Sequence, residues 1–367
     1  MGTDVVRTLT AWEVGALGQK YDLADGHAAL PCAVDDVPRD LLPRLQATPQ
    51  RELEERFVRA FGEASGEDLA RDDVVMVATA SQALSLACLY LARHGITSVG
   101  LIEPAFDSLA DTVRERNLTP MPVREDDEEI LRAVREYDAV LLVVPNNPTG
   151  WSPSRATLDR IPALAAESGC TVVIDRTFRF FQPESDDGVT AQLGRCGFSW
   201  ITIDDTGKTW STDESKVAFL RSGSPRILDA LREYAEVAMT RVPSFNLHVV
   251  AEAIRREDGS TRAGEAALKN GDQLERTLGE FGFTRQSRLS GLALYRLPDD
   301  CPLTGVQLAD ELLAEGVAIL PGAQFFWHSP ADGTSLIRIA LVRPPGYFSR
   351  ALVAMERGLR RHMHMRR

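Results

Sequence analysis

Apolar and polar positions fall into two regimes along this chain. Between residues 74 and 220 short, β-branched apolar runs recur: Val74–Thr79, Ser98–Ile102, Ala139–Val144, Thr171–Ile174, Trp200–Ile203 and Lys216–Leu220. Stretches of helical period separate them. Runs this short, apolar throughout and divided by helices predict a mainly parallel sheet covered on both faces. Upstream, residues 1–20 read as a short, partly amphipathic helix with Thr8 or Thr10 as its cap. A proline-containing stretch from Leu30 to Leu45 then leads into a helical pattern over Arg51–Phe61. After about residue 250 the pattern changes. A long polar helical stretch, Ser244 to Glu280, precedes the apolar runs Gly291–Leu297, Gly316–Leu320 and Leu336–Leu341. The expected fold is therefore α/β: a large domain built on a mainly parallel sheet, and a smaller C-terminal α+β domain. The chain shows no internal repeat and no low-complexity linker.

Composition narrows the classes. A chain of 367 residues with 44% hydrophobic residues suits roughly two domains with sizeable cores. The net charge of -12 argues against a nucleic-acid partner, which would want clustered Lys and Arg. Five scattered cysteines (Cys32, Cys88, Cys170, Cys196, Cys301), with no Cys-x-x-Cys, argue against a disulfide frame or a zinc site and fit a reducing, cytoplasmic setting. No basic stretch followed by an apolar run opens the chain, so no signal peptide is expected. No apolar run approaches the roughly 20 residues of a membrane span.

Chemistry concentrates at the ends of the apolar runs. Asn147 stands in Pro145-Asn-Asn-Pro-Thr-Gly150, Asp175 ends Thr171-Val-Val-Ile-Asp175, and Lys208 follows Trp200-Ile-Thr-Ile-Asp-Asp-Thr-Gly207. A lysine can form a Schiff base, an aspartate can hold a pyridinium nitrogen, and an asparagine can bond a phenolic oxygen. Together they match a pyridoxal phosphate (PLP) site, and so an enzyme acting on an amine or amino acid. For the phosphate, Thr79-Ala80-Ser81-Gln82 follows a strand and opens a helix, where backbone N–H groups meet anions; read alone, it is an ordinary N-cap. Lys216 could add a countercharge, or be a surface lysine. Phe106, just after a strand, could stack on a pyridine, or be a core residue. Arg338, inside Leu-Ile-Arg-Ile, is costly unless paired, and a substrate carboxylate is a natural bidentate partner. Gly207-Lys208-Thr209 looks like the end of a phosphate-binding P-loop. That motif needs glycine five residues before its last Gly, and position 202 is Thr. His362-Met-His364 reads as a tail rather than a metal site, and no metal is expected.

In this order the segments resemble the fold-type I PLP enzymes, the aspartate aminotransferase superfamily. The resemblance implies that Asn147 bonds the phenolic oxygen, Asp175 the pyridine nitrogen, Lys208 the aldehyde carbon, Lys216 the phosphate and Arg338 the substrate's α-carboxylate. It also implies a homodimer. Two positions depart from the superfamily pattern. Phe178 stands where a tyrosine is usual, and Asp205 where Ser or Thr often stands. Both departures, with Leu23-Ala-Asp-Gly-His27, Ile102-Glu-Pro-Ala-Phe-Asp107 and Asp204-Asp-Thr-Gly-Lys-Thr-Trp210, resemble a narrower group. These are the oxygen-dependent PLP L-arginine oxidases and hydroxylases of enduracididine-type antibiotic biosynthesis. That resemblance makes residues 1–27 an N-terminal helix and lid carrying Thr10, Glu13 and His27. It sets Asp25 and Asp205, with Glu13, against a guanidinium. The large PLP domain is then 28–250, with 28–45 contributing to the small domain, 251–367. The expected activity is oxidation of L-arginine or a close analogue with O2 to a 2-oxo acid, plain or 4-hydroxylated. A conventional aminotransferase, and a PLP cyclase or lyase acting on a hydroxyarginine, are the alternatives.

Overall fold

The computed structural model describes residues 7–31, 40–182, 197–256, 259–287 and 291–363, together with 189 and 191–193. Cys32, Cys196, His364 and most of the proline-containing stretch after Leu30 lie outside the described residues.

Seven strands form the central sheet, in the order Val74–Val77, Ala218–Arg221, Ser199–Asp205, Thr171–Asp175, Ala139–Val143, Ser98–Glu103 and Thr119–Arg124. Among them Ala218–Arg221 runs opposite to the rest, pairing antiparallel with Val74–Val77 and with Ser199–Asp205; the others share one direction. Helices such as Ala80–Arg93, Asp127–Glu136 and Arg155–Ser168 connect them, and the central strands are apolar throughout because both faces are covered. Thr119–Arg124 has no counterpart in the sequence reading. Its Thr-Pro-Met-Pro-Val-Arg sequence discourages a strand, but it lies at the sheet edge, where a missing N–H removes few ladder bonds.

The described residues of the helical stretch from Ser244 lie in Ser244–Arg256 and Gly259–Gly279. The run Gly316–Leu320 serves two sheets. Val317–Ala318 pairs with Tyr21–Asp22, whereas Leu320–Pro321 joins an antiparallel sheet with Leu336–Ala340, Leu292–Arg296 and Thr284–Arg285. No helix among the described residues is long and apolar enough to cross a membrane.

Three apolar clusters hold these elements. One lines both faces of the large sheet, and one lies under the helix Gln50–Ser65. The third joins the N-terminal segment to the C-terminal sheet: Leu9, Trp12, Ala16, Tyr21, Leu23, Ala24 and Ala28 share it with Leu292, Tyr295, Leu320 and Phe325. The N-terminal helix is Leu9–Ala16. Thr8, not Thr10, caps it, its hydroxyl accepting from Ala11 N at 3.1 Å. Leu9 N donates to Asp107 Oδ2 at 2.7 Å, which ties this helix to the start of Asp107–Glu115.

Candidate active site

In the parallel part of the sheet, strand register brings chemistry to one edge. Val143 pairs with Asp175, and Asp175 with Ile203, so residues at the strands' carboxyl ends and the loops beyond face one crevice, where such folds bind ligands. A cavity of about 260 Å³ opens there. Its walls include Thr10, Glu13 and His27 from the N-terminal segment, Ala80 and Ser81 from a helix start, and Phe106, Asn147, Asp175, Phe178, Asp205, Lys208, Lys216 and Arg338. Two of the residues named from sequence stand behind the wall. Gln82 Oε1 accepts from Ala78 N at 3.0 Å and so braces the turn before its helix. Asp25 Oδ1 holds His27, accepting from its backbone N at 2.9 Å and meeting Nδ1 at 2.5 Å.

Lys208 lies beyond the turn Asp205-Thr206-Gly207. Asp205, almost fully buried, accepts from Gly207 N at 2.7 Å and shapes that turn. Glycine at 207 leaves room for the imidazole: a Cβ there would lie 2.9 Å from His27 Cδ2 and would push the ring away. The imidazole can therefore reach the lysine, with His27 Nε2 at 3.1 Å from Lys208 Nζ and 3.2 Å from Lys216 Nζ. Lys216 is paired with Asp213 Oδ1 at 2.5 Å. Asp25, His27 and Asp213 offer donor atoms within 4.8 Å of one another, but the two ammonium groups put positive charge where a cation would sit.

Asp175 is held by Thr177, whose backbone N donates at 2.9 Å and whose hydroxyl also bonds the carboxylate. Burial raises its pKa to about 6; the Thr177 bonds oppose that shift, and the charges of Asp205 and Asp204 add to it. A cation beside it would relieve that penalty. Asn147 Oδ1 accepts from Arg338 Nη1 at 3.4 Å, which leaves its amide for a second partner. Arg338 is fully buried. It contacts Glu13 Oε1 at 3.4 Å and the carbonyl of Ala24, while its Nε meets no acceptor among the described residues. Burial lowers its pKa, and Glu13 and Asp25 oppose that shift. A buried guanidinium with an unmet donor is suited to a carboxylate ligand. Phe178 lies 5.8 Å from Lys208 Nζ. A Cβ at Gly26 would be 3.7 Å from its Cζ, so the N-terminal loop closes over the ring edge where a tyrosine would carry its hydroxyl.

This donor set fits PLP. Ala80 and Ser81 line the cavity in the first turn of a helix, where amides lack intrahelical acceptors and attract a phosphate. Lys216 adds charge, Phe106 a ring, Asn147 an amide, Asp175 a carboxylate and Lys208 an amine.

Several supporting residues carried no clear sequence signal. Arg343, buried, donates to three carbonyls of the N-terminal loop: Asp22 at 2.8 Å, His27 at 2.7 Å and Asp25 at 2.6 Å. As a charge after an apolar run it invited the same question as Arg338. Behind the site, Glu67 meets Arg176, Arg179 and Arg221, and Arg179 also pairs with Asp204 at 2.9 Å. Burial would raise the Glu67 pKa, but the three guanidiniums bring it down to about 2.

The family model for aminotransferase class I and II matches residues 19–352. The aspartate/prephenate aminotransferase of Thermus thermophilus is 24% identical over 312 residues, covering 80% of each chain. The aspartate aminotransferase of Thermococcus kodakarensis is 25% identical over 320 residues, covering 84% of this chain and 77% of that one. Among solved structures, MppP soaked with the product 2-ketoarginine superposes with a TM-score of 0.78 at 24% identity, over 92% of this chain and 99% of that chain. The Thermus thermophilus aspartate aminotransferase with maleate superposes with a TM-score of 0.73 at 18% identity, over 96% of each. The chain belongs to the class I and II aminotransferase family, with the fold of the fold-type I enzymes, and PLP is its cofactor.

Proposed function

We propose that this PLP enzyme oxidises L-arginine or a close analogue with O2, releasing a 2-oxo acid, plain or 4-hydroxylated, and working as a homodimer. The single observation that carries the proposal is the N-terminal segment: it sets Thr10, Glu13 and His27 into the cavity that holds Lys208. Transamination gives no physical reason for a histidine 3.1 Å from the reactive lysine. The solved structure of MppP with the product 2-ketoarginine supports the same substrate class.

When bound, PLP supplies an imine carbon that acidifies the substrate's Cα–H and a pyridinium that takes up electron density. Arg338 would hold the α-carboxylate, with Asn147 fixing one guanidinium edge. Asp205 and Glu13 put carboxylates in the cavity wall, where a desolvated guanidinium needs them. Asp25, engaged by His27, would act on the substrate through that ring. Lys208 would take the α-proton and Asp175 would keep the pyridine nitrogen protonated. The helix Leu9–Ala16 would exclude water while the substrate is electron-rich. In the plain reaction the amine's two electrons pass to O2. Water supplies the keto oxygen, and ammonium and peroxide are released.

A second reading is conventional transamination, favoured by the aspartate/prephenate aminotransferases among the relatives. One experiment separates the two: incubate the enzyme with L-arginine and no oxo acid, and follow O2 and peroxide. The oxidase should consume O2 without an acceptor. Turnover that appears only when a 2-oxo acid is added would establish the aminotransferase instead.

A further inference from the structure

Arg338 is already engaged before any substrate arrives. A guanidinium offers its N–H donors in one fixed plane. On Arg338, Nη1 donates to Asn147 Oδ1 at 3.4 Å. Nη2 donates to Glu13 Oε1 at 3.4 Å and to the carbonyl of Ala24. Nε meets no acceptor among the described residues. A carboxylate can form two parallel bonds with a guanidinium on either of two edges, Nε with the Nη2 beside it or Nη1 with Nη2. Both edges need Nη2, and both Nη2 hydrogens are taken. One acceptor is a backbone carbonyl in a buried loop. The other is the Glu13 side chain, 20% exposed where Arg338 is 1% exposed. The glutamate is the partner that can move, and it sits where the substrate's carboxylate has to bind.

We propose that Glu13 competes with the substrate's α-carboxylate for Arg338, and that it gives way to an amino acid whose side chain carries a cation. The inference rests on the arginine reading of the site. Glu13 is mostly covered, so once displaced its charge loses a partner that water replaces only in part. The other guanidinium nearby, Arg343, is engaged by the carbonyls of Asp22, His27 and Asp25. An arginine substrate brings its own guanidinium into the cavity that Glu13 lines, and a carboxylate–guanidinium pair forms again there. One ion pair is then exchanged for two. An apolar amino acid offers no such partner, and its carboxylate contends with Glu13 without offsetting the loss. Asp205, in the same wall, would select arginine by attraction. Glu13 adds selection by rejection, which discriminates against a competitor as effectively as a new contact does.

Anaerobic binding to the holoenzyme, read from the cofactor's absorbance, tests the exchange without requiring oxidation. The ligands are L-arginine, agmatine, which lacks the carboxylate, L-norleucine, which lacks the side-chain charge, and pentylamine, which lacks both. In E13Q, norleucine should bind about tenfold more tightly, because a neutral amide competes for Arg338 less strongly than a carboxylate. Agmatine and pentylamine, with no carboxylate to place, should bind as in the wild type. Arginine should not gain, since it loses at its guanidinium what it gains at its carboxylate, so its advantage over norleucine should shrink by about that same tenfold. E13A, with no side-chain acceptor, should show the norleucine gain at least as strongly. Unchanged norleucine affinity in both variants would overturn the proposal. So would equal gains by norleucine and pentylamine, which would trace the effect to the charge of the wall, or equal losses by arginine and agmatine alone, which would make Glu13 a plain guanidinium ligand. If the wild type shows no preference for arginine, the arginine reading fails, and the response of norleucine to E13Q decides the competition at Arg338 by itself. Binding as expected without O2 uptake would sink the oxidase and leave the exchange standing.

Discussion

At the scale of single residues, Asp175 carries the clearest electrostatic consequence. Its pKa, about 6 in the folded chain without cofactor, stands above the ordinary 3.8. The folded protein then binds more protons than the unfolded chain between those values, and stability falls as pH rises through that window. A pyridinium beside the carboxylate removes the penalty. The stability that PLP adds should therefore grow as pH rises from about 4 to 6, by at most roughly 3 kcal/mol. The difference in Tm between holoenzyme and apoenzyme across that range measures it. Asp175→Asn should flatten the slope; an unchanged slope would remove Asp175 from the cofactor. Residues of this kind were legible in the sequence because each interrupts or ends an apolar run: Asp175, Arg338, Asn147 and Lys208 all do. Thr177 was not legible: it matters only through the two bonds it gives Asp175. Nothing in a polar turn announces such a partner.

At the scale of elements, the large sheet was legible because strands buried on both faces are apolar throughout. The edge strand Thr119–Arg124 was hidden by its prolines, and the segment Tyr21–His27 by its polarity. That segment is nevertheless fixed at every step. Asp22 N bonds the Tyr347 hydroxyl at 2.6 Å, Asp22 Oδ1 accepts from Ala24 N and Asp25 N, and Arg343 draws three of its carbonyls together. A lysine cannot reproduce that planar fork. Arg343→Lys should keep the cofactor and its colour, since none of the groups proposed to touch PLP moves. It should raise KM for the amino acid by about tenfold, the worth of one lost charge-assisted bond of about 1.4 kcal/mol. Steady-state kinetics beside an absorbance titration of PLP would show the split; equal loss of both would mean that Arg343 supports the fold as a whole.

At the scale of the whole molecule, the N-terminal segment belongs to two structures at once. Its helix Leu9–Ala16 reaches the cavity through Glu13 and Thr10, while its strand Tyr21–Asp22 extends the C-terminal half. Removing the first 27 residues therefore does more than open the site. A chain starting at Ala28 loses that strand and six buried apolar side chains: Leu9, Trp12, Ala16, Tyr21, Leu23 and Ala24. A chain starting at Lys20 loses the helix but keeps the strand, Arg343's carbonyl partners and His27. The two cuts should separate stability from gating. The longer one should unfold at markedly lower temperature and bind PLP poorly. The shorter one should cost a few degrees in Tm, because burying Leu9 and Trp12 brings roughly 1.5–3 kcal/mol each before the entropy of ordering eight helical residues is subtracted. It should still turn yellow with PLP and still bind arginine through Arg338. Without its cover, water would reach the electron-rich substrate, so arginine-dependent O2 uptake should fall while α-proton exchange with solvent persists. Wild-type O2 uptake in the chain starting at Lys20 would show that the helix is packing alone, and the oxidase would lose the element on which the proposal rests.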